Sequence, residues 1–87
     1  MLDAPVKVMV RGRDKPNRPW DRGIALIGKD CGKMAIIYKS GDKEFLSLNK
    51  IHLDQVSGEH LVEVEGRDVV DSLNLSSLPI NLLRLLD

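Results

Sequence analysis

The chain has 87 residues, with 13 Lys or Arg balanced by 13 Asp or Glu, one cysteine and three aromatic side chains. That length holds one core, so residues 1–87 are read as a single domain. No apolar run approaches the ~18 residues that cross a bilayer, which excludes a membrane-spanning helix. Cys31 alone cannot close an internal disulfide, and the opening Met1-Leu-Asp-Ala-Pro5 has neither a cationic start nor an apolar stretch. Both features point to a reducing, cytoplasmic setting.

In chain order, Val6-Lys-Val-Met-Val-Arg11 alternates, with Val6, Val8 and Val10 on one side, the period of a half-buried strand. RGRDKPNRPWDRG (11–23) follows, carrying five cations and two prolines that remove backbone donors and stiffen the loop. Trp20 leads into the apolar segment Gly23–Gly28. Lys29-Asp-Cys-Gly32 has turn chemistry, and Lys33–Lys39 is a third strand. Ser40-Gly-Asp-Lys43 is a hairpin connection into Glu44–Leu48, where Phe45 and Leu46 take opposite faces. Asn49-Lys-Ile51 reads as a one-turn corner before His52–Val56, and Ser57-Gly58 as a further turn. His60–Glu65 resumes alternation, with Val62 and Val64 opposite Glu63 and Glu65, and Gly66-Arg-Asp68 is turn-like.

Strands this short, punctuated this often, predict a mainly β fold: a small antiparallel barrel of five to seven strands with its core over about residues 6–72. The end of the chain changes character. Ser76-Ser-Leu-Pro-Ile-Asn-Leu-Leu-Arg-Leu-Leu-Asp87 offers capping serines, a proline suited to a first turn, and Leu78, Leu82, Leu85 and Leu86 on one stripe. A short C-terminal α-helix is expected over about 77–86. With Ile80 and Leu83 off the stripe, it either plugs an end of the barrel or leaves an apolar patch for a partner.

Residues 20–53, WDRGIALIGKDCGKMAIIYKSGDKEFLSLNKIHL, order a tryptophan at a strand start, an apolar strand, a glycine turn, and a strand ending in tyrosine. A Ser-Gly-Asp turn, a short strand and a one-turn corner come next. Over about residues 6–56 this pattern resembles Src-homology-3-type small barrels, in particular Tudor-like domains and the C-terminal domain of retroviral integrases. The resemblance implies a basic first strand and a ligand-facing loop ahead of the tryptophan. Tudor-like reading of methylated side chains would need several aromatic faces around one cation; Trp20, Tyr38 and Phe45 are too few to build a cage and a core.

Charge supplies the functional expectation. Residues 1–50 carry eleven cations against six anions, and residues 51–87 carry two against seven. Either the fold has surfaces of opposite sign, or the two halves neutralise each other. On the first view the chain is a non-enzymatic module that contacts the nucleic-acid backbone, DNA or RNA, with low specificity. Lys7, Arg11, Arg13, Lys15, Arg18 and Arg22 would meet phosphates and Trp20 would stack on a base, unless it anchors the core. The alternative is a protein-interaction or assembly module, an adaptor, small inhibitor or virion component. It would use a sheet edge or the leucines Leu78, Leu82, Leu83, Leu85 and Leu86, with homo-oligomers possible through complementary faces.

No catalytic residues, cofactor or metal site are expected. His52, His60 and Cys31 match no zinc spacing. Cys31 has no base or orienting group placed beside it by sequence. The turns lack a phosphate-binding glycine pattern.

Overall fold

The computed structural model describes residues 5–28, 30, 32–56, 58–65 and 71–87. The turn containing Cys31 and the Gly66–Asp68 turn lie at least partly outside these residues. The described chain is mainly β. Seven strands, β1 (Val6–Gly12), β2 (Asp21–Gly28), β3 (Lys33–Tyr38), β4 (Asp42–Ser47), β5 (Ile51–Val56), β6 (Glu59–Val64) and β7 (Asp71–Ser72), form one sheet in the order β5-β6-β1-β2-β3-β4-β7. A 3₁₀ turn at Leu48–Lys50 makes the corner expected between β4 and β5.

Two particulars of the pairing differ from an all-antiparallel barrel. The sheet is hydrogen-bonded as an open one, with β5 and β7 at its margins. One interior pair, β1 with β6, runs parallel, with Arg11 opposite Glu63 and Gly12 opposite Val64. Alternation along a strand sorts side chains onto faces but does not specify which distant strand will lie alongside, or in which direction.

The expected alternation builds the core. Val8 and Val10 of β1, Ala25 of β2, Met34, Ile36 and Tyr38 of β3, Leu46 of β4, and Val62 and Val64 of β6 form one buried cluster. The sheet curls around this inner face, giving a body of 32 × 31 × 27 Å. In β4 the face turned inward is that of Glu44 and Leu46, because Ile36 pairs with Glu44 and Met34 with Leu46. Glu44 is fully buried and accepts a 2.5 Å hydrogen bond from the Tyr38 hydroxyl, while Phe45 on the other face is half exposed. A buried carboxyl is tolerated where such donors reach it. Lys43 covers the Phe45 ring at 5.4 Å.

Two glycines are required by their surroundings. Gly41 has φ +94°, and a Cβ there would stand 3.0 Å from the Leu73 carbonyl oxygen. A Cβ on Gly23 would stand 3.0 Å from the Ile37 carbonyl oxygen, so β2 and β3 meet closely at that point.

The C-terminal segment is helical over residues 80–86, as one α turn, α1 (Ile80–Leu83), continued by a 3₁₀ turn at Arg84–Leu86. The start lies later than 77 because Asn74 caps a separate 3₁₀ turn at Leu75–Ser77 and Pro79 then restarts the chain. The final turn packs against β1 and β2. Ile24 of β2 and Leu86 are both buried although neither belongs to the inner cluster. Ile24 points away from the inward-facing Ala25, so the tail covers part of the sheet's outer face. Lys7 on that face donates a hydrogen bond to the main-chain oxygen of Asp87. No helix among the described residues is long and apolar enough to cross a membrane.

This packing makes Leu86 the anchor of the tail. Leu86→Ala is expected to lower unfolding stability by about 2–4 kcal/mol, through lost burial and the cavity left behind. Ile80→Ala, at a side chain 63% exposed, should stay within about 0.5 kcal/mol. Urea denaturation of both variants checks this; equal losses would mean that the tail is not held by Leu86.

Candidate functional site

β1 and β6 lie side by side and parallel, so residues two apart on one strand meet residues two apart on the other. Arg11 and Arg13 have this spacing, as do Glu63 and Glu65. Arg11 Nη2 lies 3.4 Å from Glu63 Oε2 and Arg13 Nη1 lies 3.3 Å from Glu65 Oε1. Two cations of the basic first half thus meet two anions of the acidic second half along this seam.

Neighbouring groups reinforce it. The Arg11 guanidinium sits 4.0 Å from the centre of the Trp20 ring and donates a 2.9 Å hydrogen bond to the Pro16 carbonyl, tying the β1–β2 loop to its strand. Such stacking contributes about 0.5–2 kcal/mol according to its exposure. His52 Nε2, from β5, lies 2.7 Å from Arg13 Nη1 and 3.2 Å from Glu65 Oε1. The hydrogen bond with His52, followed by the charges of His52 and Arg13, holds the Glu65 carboxyl below its usual 4.5.

The residues expected to grip phosphate are therefore divided. Arg11 and Arg13 stand in ion pairs. Lys15 and Arg18 are exposed and share with Arg11 a cleft of about 480 Å³, but Asp14 and Asp21 line the same cleft. Lys7 is joined to the chain terminus, and Arg22, half-buried, lines a separate groove with Lys39, Ser40 and Asp42. Trp20 is half-buried, outside the core cluster, with Arg11 on one face of its ring. The leucines of the tail are used in packing: Leu78, Leu82, Leu83 and Leu85 are half-buried and Leu86 is buried. Among the described residues no three His, Cys, Asp or Glu side chains converge on a common point.

The surface that sequence reading left unplaced is β5. It ends the sheet, with β6 as its one hydrogen-bonded neighbour among the described residues. His52, Leu53, Asp54 and Gln55 are all exposed, and Leu53 retains 49% of its surface. The other margin is the two-residue β7, ahead of the tail that packs on β1 and β2. Edge strands are usually blunted by proline, charged side chains (lysine above all), a bulge or brevity, and β5 carries one such charge, Asp54. Ile51-His-Leu-Asp-Gln-Val56 has six residues and contains neither proline nor lysine.

No family model, curated protein or solved structure matches this chain.

The Arg13–His52–Glu65 cluster has a measurable consequence. Because the folded-state carboxyl of Glu65 titrates below 4.5, its contribution to stability is present above that pH and is lost as pH falls through the lowered value. A carboxyl ¹³C NMR titration should place the Glu65 midpoint below 4.5, and Arg13→Gln should move it upward. A midpoint at or above 4.5 in the unaltered chain would mean that the cluster does not form in solution.

Proposed function

We propose that the chain is a non-enzymatic protein-interaction or assembly module that receives an extended segment of its partner along β5. The observation that carries this reading is the six-residue margin strand with its half-exposed Leu53. In strand addition, backbone hydrogen bonds to the edge give affinity and alternate side chains give specificity. The partner's backbone would run along β5, with one face of the added strand set beside Leu53 and the other beside His52 and Asp54.

The charge pairing supports this reading over a grip on nucleic acid. A cation already joined to a carboxylate contributes less to phosphate binding and to counterion release. Lys15 and Arg18 are the exposed cations left in the loop cleft, and they share it with two aspartates. The packed leucines likewise favour the sheet edge over the tail as the contact surface.

The test is a selection of extended peptides against the intact chain, followed by NMR mapping of where they bind. Resonance shifts should concentrate on residues 51–56. Leu53→Lys, which sets an ammonium at the middle of the edge, should weaken those peptides by about tenfold or more. Peptides that shift only other parts of the protein, or that bind the Leu53→Lys variant equally well, would refute the proposal.

A further inference from the structure

We infer that the occupant of β5 is β5 of a second copy of this chain, paired antiparallel about a two-fold axis through Leu53. This inference rests on the strand-addition reading above and adds the partner and the register.

The sheet geometry restricts where such an axis can lie. Residues directly opposite in an antiparallel pair share a face of the sheet, so a two-fold perpendicular to it must pass through a residue position rather than between two. An axis at Asp54 would set two carboxylates against each other, and one at His52 would oppose two histidines that each adjoin Arg13. An axis at Leu53 instead places the two half-exposed leucines together. It also sets His52 opposite Asp54 of the second copy, twice, once on each side of the axis.

His52 and Asp54 both lie on the face opposite Leu53, as their pairing with Glu63 and Leu61 of β6 requires. The charges around His52 on its own chain are Arg13, Glu63 and Glu65, with Asp54 two residues along the same face and Arg11 lining the same groove. The single charge of either sign that the second strand would bring directly opposite is the carboxylate of Asp54. Ile51 would face Gln55 at each end. The contact is isologous and closes on itself, so it produces dimers and not filaments. It is also small, so the dimer should be weak and concentration-dependent.

The experiment is sedimentation velocity on the full chain from low micromolar to near-millimolar concentration, with one variant at an exposed position. The unaltered chain should shift from one copy to two as concentration rises. Asp54→Lys, which opposes an ammonium to the Arg13–His52 pair, should weaken the dimer by about tenfold or more. The register is read separately, by mild oxidation of chains in which Cys31 is replaced by Ser. Leu53→Cys should form a covalent dimer, since residues facing each other across the axis have Cα atoms about 4.5–5.5 Å apart, within disulfide range. Gln55→Cys should not, because its counterpart lies at the far end of the other strand.

A chain that stays monomeric throughout, with no disulfide at position 53, overturns self-pairing. A dimer that forms without the disulfide at 53 and is indifferent to Asp54→Lys overturns it equally. In either case the strand-addition reading stands or falls on its own result, because selected peptides that map to residues 51–56 would show that the edge takes a different partner.

Discussion

The parallel contact between β1 and β6 is the constraint on which the rest of this molecule depends. It joins a strand near the start of the chain to one more than fifty residues later, in a register that sets Val10 beside Val62 and Gly12 beside Val64 inside. The same register sets Arg11 beside Glu63 outside. One pairing thus completes the apolar cluster on the inner face and sets two arginines of the cationic segment against glutamates on the outer face. Each surface ion pair is worth only about 0.2–1 kcal/mol. Burial of the valines therefore holds the strands together, and the arginine–glutamate pairs follow from that placement.

The consequences for function come from what this pairing occupies and what it leaves at the margin. With β6 taken up on one side by β1, its other side is covered by β5, and β5 becomes the end of the sheet. The opposite margin is short and runs into a tail whose leucines pack over the outer face, ending in buried Leu86. The two ends of the sheet are thus unequal among the described residues: one is a strand of two residues, the other a strand of six. A surface balanced in charge suits association with a partner of mixed charge better than attraction to a polyanion.

Much of this was legible in the residues. The alternation of Val6, Val8 and Val10, and of Val62 and Val64, assigns an inner face that the structure keeps, and the turn residues locate the hairpins. Phe45 and Leu46 do take opposite faces, but periodicity cannot say that buried Glu44 accompanies Leu46 inward while the aromatic ring faces out. That outcome depends on the Tyr38 hydroxyl, which reaches Glu44 only once β3 and β4 are in register. The tail was legible as apolar and helical, yet its place across the outer face depends on Ile24, a residue whose neighbours in the chain suggest only a strand. The matched spacing of Arg11 with Arg13 and of Glu63 with Glu65 was a usable signal for the charged seam. It acquires meaning only when the two strands are known to be adjacent and parallel. The identity of the margin strand was not legible at all, since an edge is a property of strand order.

The most direct measurement of this account removes the negative half of the seam and asks whether the positive half is released. A single-stranded oligonucleotide is titrated against the unaltered chain and against the Glu63→Gln/Glu65→Gln variant at about 50 mM salt and again at higher salt. If β6 masks the arginines of β1, the variant binds at least about tenfold more tightly than the unaltered chain and with the steeper salt dependence. Equal affinity and equal salt slopes, with the unaltered chain already binding well, would contradict it.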